Sequence, residues 1–315
     1  MKVVVTGGAG FIGANLCREL AGRGADVVAL DDLSTGRREN LAGLDVELRV
    51  QSVLDRDAVM YACGGADAVV HLASVPSATR SLVNPRHSHD VNATGALEVL
   101  EAACAAGTSV VLGSSGSVYG RNPALPRSEE MACTPLSPYA TGKLAAEHYA
   151  LSFQQCFDLP CVVFRCFSVF GPLQRPDHPY SAAVPAFIWA ALRGEPLVVY
   201  GNGEQTRDFT FVDSVVDVLA EAVRLRFSCA RPVNLAFGTR TSINELIALL
   251  SALFGRELDV VRRPARAGEV RHSQASGSVL RRAFPRVKPM PLEIGLSRTI
   301  EWAERLLHAE NRSTA

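Results

Sequence analysis

The sequence predicts an α/β protein built on a Rossmann-like, doubly wound parallel sheet, with a smaller C-terminal α/β substrate lobe. Short, almost wholly apolar runs alternate with longer amphipathic runs through the first half of the chain. Strands covered by helices on both faces have this composition, and the alternation is typical of a parallel sheet. The predicted strands are 2–6, 26–30, 46–50, 67–71, 109–114 and 161–167, with helices at 11–23, 87–106 and 137–157.

The composition changes after Gly171 and Pro172, where proline and arginine become more frequent. Helices are predicted there at 181–193, 213–225, 242–254 and 295–308, and Ser242 with Glu245 forms a capping box for the third. We predict a nucleotide-binding domain over 1–169, to which the chain returns around 208–236, and a mainly substrate-binding lobe over 170–315. The cleft is expected at the carboxyl ends of the strands.

The overall composition argues against several classes of partner. Lys plus Arg equals Asp plus Glu at 32 each, which predicts no nucleic-acid or membrane surface. Eight cysteines without a C-x-x-C pair indicate reduced thiols rather than disulfides or a metal site. The N-terminus has no signal-peptide pattern, and no apolar run is long enough for a bilayer, so a cytoplasmic protein is predicted.

The stretch VVVTGGAGFIG places Gly7, Gly10 and Gly13 between a strand and a helix. Glycines there allow a tight turn and bring backbone N–H groups close to a pyrophosphate at the helix N-terminus. Asp31 follows 18 residues after Gly13, at the end of the next strand. Its carboxylate can accept hydrogen bonds from adenosine ribose hydroxyls and would repel the extra phosphate of NADP, so NAD is favoured. Arg37 and Arg38 argue against this choice, since they could pair with that phosphate.

SPYATGK sets Tyr139 and Lys143 four residues apart on one face of a helix. A nearby ammonium and a positively charged nicotinamide both favour the phenolate of Tyr139, which predicts a base working near neutral pH. Ser115 would hydrogen-bond the same substrate oxygen. Together the three residues can remove a proton and assist removal of a hydride from a sugar alcohol.

With these motifs on one chain, the sequence resembles the extended short-chain dehydrogenase/reductase family, and within it the NAD-dependent nucleotide-sugar 4-epimerases. TGGAGFIG, DDLSTG, HLAS, SSGSVYG, SPYATGK, FGPLQRPD, YGNGEQTRDFTFVD and AGEVRHS are similar to family motifs and follow the family's order.

The resemblance implies two sets of contacts. The residues implied to bind NAD are Gly7, Gly10, Phe11, Ile12, Gly13, Asp31, Asp32, Leu33, Ser34, Thr35, Gly36, Ser52, Val53, Leu72, Ala73, Ser74, Asn92, Tyr139, Lys143 and Phe167. The residues implied to bind the UDP-sugar are Ser77, Ser115, Ser117, Tyr139, Ser168, Arg175, Val184, Phe187, Tyr200, Arg207, Arg266 and Glu269. A homodimer through helices 87–106 and 137–157 is also implied.

The chain departs from the family pattern at two positions. Ser52 stands where an adenine-contacting aspartate is usual, although Val53 can keep its backbone contact. Ser168, in FSVFGP, stands where the family usually has an asparagine that helps hold the diphosphate or the sugar.

The residues after Ser115 indicate which reaction follows the first oxidation. Family 4,6-dehydratases carry an Asp-Glu pair there, and uronate decarboxylases resembling this chain carry a glutamate at the second position. Here the two positions are Gly116 and Ser117, which cannot act as acid or base at neutral pH. We therefore expect the hydride to return to the opposite face of a rotated 4-ketosugar, which is 4-epimerisation.

The sugar is predicted less firmly by the same resemblance. Ser168 followed by FGPLQRPD is similar to UDP-glucuronate 4-epimerases, and hydroxyls at Ser117 and Ser168 with Arg175 could receive a C6 carboxylate. SATRS and EVRHS are more similar to UDP-N-acetylglucosamine 4-epimerases, and UDP-glucose is a further alternative. A dinucleotide-binding sensor without turnover is disfavoured, since such proteins typically lack the tyrosine or the lysine.

Overall fold

The computed structural model describes residues 1–176, 182–265 and 270–313, with side chains up to 310. Thirteen strands lie in these ranges: β1 (Lys2–Thr6), β2 (Asp26–Leu30), β3 (Val46–Arg49), β4 (Ala68–His71), β5 (Ser109–Ser115), β6 (Cys161–Cys166), β7 (Val169–Phe170), β8 (Leu197–Tyr200), β9 (Thr206–Arg207), β10 (Thr210–Phe211), β11 (Val233–Leu235), β12 (Thr241–Ser242) and β13 (Val260–Arg263).

The same ranges contain eleven α-helices: α1 (Phe11–Gly22), α2 (Arg56–Cys63), α3 (Ala78–Val83), α4 (Pro85–His89), α5 (Gly95–Ala106), α6 (Pro138–Phe157), α7 (Ala183–Arg193), α8 (Val212–Arg224), α9 (Ile243–Phe254), α10 (Ser278–Ala283) and α11 (Leu292–Ser313). None of these helices is long and apolar enough to cross a membrane.

Seven parallel strands form the main sheet in the order β11-β6-β5-β4-β1-β2-β3. The predicted fold class is confirmed, and the six predicted strands are all present within one residue of their predicted ends. Val3, Val4, Val5, Val69 and Val70 are fully buried, as expected for strands covered by helices on both faces. Parallel strands end at one edge of the sheet, so the residues after β1, β2, β4, β5 and β6 are neighbours there.

Two predictions about elements needed correction. The helix predicted over 87–106 begins at Pro85 and is interrupted by one π-helical turn, Asp90–Thr94, between α4 and α5. The strand β11 was not predicted, because it has only three residues, with Asn234 between two apolar ones, in a loop-like stretch; it pairs with β6 at the sheet edge. The capping box of α9 is present: the Ser242 hydroxyl accepts from the Glu245 N–H, and the Glu245 carboxylate accepts from the Ser242 N–H.

The C-terminal half adds smaller pieces of structure. Strands β8 and β13 form a parallel pair, and β9 pairs antiparallel with β12. The indole rings of Trp189 on α7 and Trp302 on α11 meet edge to face at 6.4 Å. Asp208, fully buried, accepts hydrogen bonds from the backbone N–H groups of Gly238, Thr239 and Ala275. This carboxylate joins three segments next to Arg207.

Candidate active site

The turn between β1 and α1 needs glycine at particular positions. Gly7 has a φ of +69°, and a Cβ on it would lie 2.7 Å from the backbone nitrogen of Ala73. A Cβ on Gly13 would lie only 2.0 Å from the carbonyl oxygen of Gly7. Gly10 is the N-cap residue of α1 and has no side chain to accept the first-turn N–H groups. The turn therefore presents a close-fitting backbone with free N–H donors, which suits a pyrophosphate.

The loop after β2 closes around Asp31. Its carboxylate accepts hydrogen bonds from the N–H of Ala9 at 2.9 Å and of Leu33 at 2.8 Å, and burial raises its pKa. A Cβ on Gly36 would lie 2.7 Å from an Asp31 carboxylate oxygen. Asp31 thus ties this loop to the glycine turn, and each oxygen keeps capacity for a ribose hydroxyl. Asn40, which sequence reasoning missed, reinforces the join by donating to the Ala9 carbonyl at 2.8 Å.

The π-helical turn explains the position of Asn92. π-Turns inside α-helices are frequent at functional sites. Here the Asn92 amide accepts from the Ser74 hydroxyl at 2.7 Å and from the Val75 N–H at 3.1 Å, and it donates to the Val75 carbonyl and the Ser88 hydroxyl. Its hydrogen-bonding capacity is used in holding the loop after β4. In this structure Asn92 shapes the predicted cofactor site through Ser74.

The other predicted cofactor residues lie at the same sheet edge or beside it. Leu72 and Ala73 follow β4, and both N–H groups bond to Thr6 at the end of β1. Val53 is buried, with Gly95 of α5 packed close to its side chain. Ser52 accepts from the Leu54 N–H in a turn before α2. Phe167 is buried directly after β6.

Helix α6 brings the predicted catalytic residues to β5. Ser137 caps the helix by accepting from the Ala140 N–H, and Pro138 occupies its first turn. Tyr139 lies within hydrogen-bonding reach of Ser115 at the end of β5. Lys143 is buried and donates from Nζ to the Gly113 carbonyl at 2.9 Å. The predicted trio is therefore brought together.

The electrostatics of the trio differ from the prediction. Burial raises the pKa of Tyr139 to about 12, against the opposing effect of its hydrogen bond to Ser115. Burial lowers the pKa of Lys143 to about 8, although Cys166 and Glu147 act in the opposite direction. The expected lowering of the tyrosine pKa is not present in the chain by itself, where burial has the largest effect and Ser115, not Lys143, is the group that opposes it. The positive charge of the nicotinamide, the other part of that expectation, comes with the cofactor.

A cleft of about 1600 Å³ passes along this edge of the sheet. Its wall contains a set of the predicted cofactor residues and most of the predicted substrate residues: Gly10, Phe11, Leu33, Ser34, Thr35, Gly36, Ser77, Ser168, Arg175, Val184, Phe187, Tyr200 and Arg207. Arg37, Arg80, Arg193, Arg263 and His87 also line the cleft, and Glu195 is the acidic residue among the lining residues. Such an excess of cations suits ligands with several negative charges.

Arg175 forms an ion pair with Glu310 of α11, its Nη1 lying 2.9 Å from a carboxylate oxygen. The predicted Arg266 and Glu269 lie outside the described residues. Arg207 donates from Nη1 to the carbonyls of Thr206 and Arg271, which fixes its direction at the cleft wall.

Gly116 has no room for a side chain. A Cβ there would lie 2.6 Å from the ring of Phe167. Ser117, the next residue, donates its N–H to the Ser115 hydroxyl at 3.2 Å. Its own Oγ is buried and has no hydrogen-bond partner in the part of the chain that the structure describes. The turn after Ser115 therefore carries no carboxylate, and packing forbids one at the first position.

Comparisons with known proteins identify the family. Residues 3–236 match the NAD dependent epimerase/dehydratase family. The chain is 36% identical to UDP-glucose 4-epimerase of Mycolicibacterium smegmatis over 309 residues, which is 96% of this chain and 98% of the relative.

Two solved structures are similar over nearly the whole chain. UDP-N-acetylglucosamine 4-epimerase from Methanobrevibacter ruminantium, in complex with UDP-N-acetylmuramic acid, has a TM-score of 0.92 and 33% identity, over 97% of this chain and 98% of that one. UDP-glucuronic acid 4-epimerase from Bacillus cereus, with UDP-glucuronic acid and NAD, has a TM-score of 0.89 and 28% identity, over 97% of this chain and 100% of that one. A decarboxylase and a dehydratase are similar as well, so similarity by itself does not select the reaction.

The chain belongs to the NAD dependent epimerase/dehydratase family. The resemblance noted from the motifs is confirmed, as are the enzyme class, an NAD-dependent isomerase, and NAD as the cofactor. The glycine turn, with its uncapped helix N-terminus, and the Asp31 loop fit that cofactor.

Replacing Tyr139 by phenylalanine should leave NAD binding intact and lower turnover at least ~100-fold, since a positioned acid–base group contributes that much. The measurement is turnover of a UDP-sugar by NAD-loaded protein. Tyr149→Phe, which changes an exposed tyrosine of the same helix, is the control. Near-normal turnover in Tyr139→Phe would remove this residue from the mechanism.

The lowered pKa of Lys143 predicts a pH dependence of stability. In the folded protein the amine loses its proton near pH 8, whereas in the unfolded chain it keeps it up to its ordinary value of 10.5. Between these values the unfolded state binds more protons, so stability rises with pH, by at most about 1.4 kcal/mol per pH unit. The measurement is urea unfolding of the NAD-free protein and of Lys143→Met at several pH values. The unfolding free energy of the unmodified protein minus that of the variant should increase from pH 8 to pH 10. A constant or shrinking difference would contradict this assignment.

Proposed function

We propose that this protein is an NAD-dependent 4-epimerase that interconverts UDP-glucuronate and UDP-galacturonate. The observation that carries the proposal is the pairing of a carboxylate-free turn at Gly116 and Ser117 with Ser168 and Arg175 in the wall of the cleft. The first feature supports epimerisation, and the second supports an acidic sugar.

Each residue of the trio has a role in this reaction. Ser115 and Tyr139 hydrogen-bond the C4 oxygen of the sugar, and Tyr139 takes its proton and later returns it. Lys143 supplies a cationic donor beside them. The glycine turn and the Asp31 loop would hold NAD, which would supply a reversible hydride acceptor for C4 and would not be consumed. Between the two hydride transfers the 4-ketosugar must rotate within the cleft, so that the hydride returns to the opposite face of C4.

The turn after Ser115 disfavours the competing reactions of the family. Dehydration needs an acid and a base for the C5 proton and the C6 hydroxyl. At Gly116 the ring of Phe167 leaves no space for such a group, and the Ser117 hydroxyl does not ionise at neutral pH.

Ser168 supports the uronate assignment. It lines the cleft, and its carbonyl accepts from the Thr210 N–H at 3.3 Å, which anchors it beside β10. Its hydroxyl and the buried, unpartnered hydroxyl of Ser117 are both suited to donate to a C6 carboxylate. Arg175 is the charged candidate, and it would have to share its guanidinium between the substrate and Glu310. The cationic cleft favours a UDP-uronate, whose sugar carboxylate adds one negative charge to those of the diphosphate.

UDP-N-acetylglucosamine is the second candidate. Ser77 caps α3 and Arg80 follows on that helix, and both line the cleft within the stretch SATRS. The similarity to the Methanobrevibacter ruminantium enzyme supports the same substrate.

A homodimer remains part of the proposal. Tyr149 and Phe157 on α6 are 42% and 59% exposed, which leaves apolar surface on one of the two helices implied in the contact. Light scattering of purified protein at several concentrations tests it, and a monomer throughout would contradict it.

The substrate is decided by following UDP-glucuronate, UDP-N-acetylglucosamine and UDP-glucose by NMR with the protein as purified. We expect the galacturonate epimer to form fastest, with no more than catalytic NAD added. Conversion of UDP-N-acetylglucosamine but not UDP-glucuronate would refute the uronate assignment and leave the C4 chemistry in place. A requirement for one NAD per sugar would contradict epimerisation itself.

Ser168 provides the sharper test. A hydrogen bond to a charged group contributes roughly 1.5–3 kcal/mol, so Ser168→Ala should lower kcat/KM for UDP-glucuronate about tenfold to a hundredfold. Turnover of UDP-glucose should change little. Ser168→Asn should shift the preference toward neutral sugars. An equal loss on both substrates would indicate that Ser168 does not contact C6.

A further inference from the structure

Three side chains of α6 contact three successive residues of β5. Tyr139, Lys143 and Glu147 follow one another at intervals of four residues, so they share one face of the helix. Tyr139 bonds Ser115, Lys143 bonds the Gly113 carbonyl, and the Glu147 carboxylate accepts from the Ser114 hydroxyl at 2.5 Å. The first two belong to the catalytic trio. Glu147 lies beyond it.

Glu147 is also paired with Arg165 of β6. Arg165 donates from Nε to both carboxylate oxygens, at 3.0 and 3.1 Å, and from Nη2 at 2.7 Å. The side chains are 2% and 5% exposed. A buried ion pair of this kind contributes little net stability compared with an apolar pair, and it is costly to break. A contribution to the stability of the fold therefore does not explain why this ion pair is present.

Arg165 extends the contact to the far side of the active-site turn. Its guanidinium lies 4.7 Å from the ring centre of Tyr119, the last residue of the 3-10 turn Gly116–Tyr119. The Tyr119 hydroxyl donates to the Asn234 side-chain oxygen at 2.7 Å on β11. Ser115 is thus bracketed: Ser114 before it is held by Glu147, and Tyr119 after it by Arg165.

We propose that the buried Glu147–Arg165 pair is a positioning device for the C4 chemistry, fixing Ser115 against Tyr139 from both ends of the turn. The pair connects α6, β5 and β6 at the point where each delivers a residue to the site. A displacement of about 1 Å at a reacting group can lower the rate on the order of a hundredfold. Neither Glu147 nor Arg165 is among the residues expected to contact NAD or the UDP-sugar, so loss of the pair should act on turnover and leave nucleotide binding unchanged.

The test compares Ser114→Ala with Glu147→Gln. Ser114→Ala removes one hydrogen bond and leaves the ion pair, so it is expected to fold. Glu147→Gln keeps the shape and removes the charge. The control is Glu221→Gln, which breaks a surface pair with Arg224. For each variant, kcat per NAD-loaded site, KM, NAD content and the melting temperature are measured.

We expect Ser114→Ala to lower kcat about tenfold, with KM and NAD content within about twofold, and Glu147→Gln to lower kcat at least as much. The control should match the unmodified protein. A kcat per NAD-loaded site within about twofold of normal in Ser114→Ala would overturn the proposal, whatever the melting temperature. So would a loss confined to KM or to NAD content. Should Glu147→Gln fail to fold, Ser114→Ala decides.

The proposal rests on the epimerase reaction and is independent of which sugar is used. The assay therefore takes whichever UDP-sugar the unmodified protein converts fastest. Unmodified protein that converts none of the three would contradict the proposed function before any variant is compared.

Discussion

The close approach of α6 to β5 is the constraint on which the site depends. Lys143 can donate to the Gly113 carbonyl only because the helix lies directly over this end of the strand. β5 lies between β4 and β6 in the sheet, and its last three residues, Gly113 to Ser115, pair with β6 beyond Leu112, where the pairing with β4 ends. The end of a strand held in this way fixes Ser115 better than a loop could.

Burial of this contact shifts the pKa values of both predicted catalytic groups. It lowers the pKa of Lys143 and raises that of Tyr139, so each group is pushed toward its neutral form. Neither is poised for proton transfer by the protein alone. NAD held at the glycine turn would bring the positive charge of its nicotinamide, so the proposed acid–base role of Tyr139 would depend on whether that turn is occupied.

Much of this arrangement could be predicted from the sequence. The strands and the residues following them are set by local signals: apolar runs, glycines at a turn, and a tyrosine and a lysine four residues apart. Glu147 carried a signal of the same kind, since it lies one further turn along from Lys143, yet a lone glutamate on an amphipathic helix is usually solvent-facing. Its partner Arg165 lies on β6, and the two side chains meet only because β6 pairs with β5 in the sheet. The ion pair of Arg175 with Glu310 could not be predicted either, because the two residues are far apart in the sequence and meet only in the folded chain.

Ser168 has a backbone feature with a consequence for how such enzymes diversify. Its φ of +33° lies in the left-handed region, which most non-glycine residues avoid and asparagine tolerates best. The family's usual asparagine suits this conformation, and serine occupies it here beside a well-anchored carbonyl. The main chain at this point is held by its neighbours and not by the identity of the side chain. With Ser168 in the proposed role, a change of this one side chain would alter which sugar the pocket accepts and would leave the path of the loop unchanged.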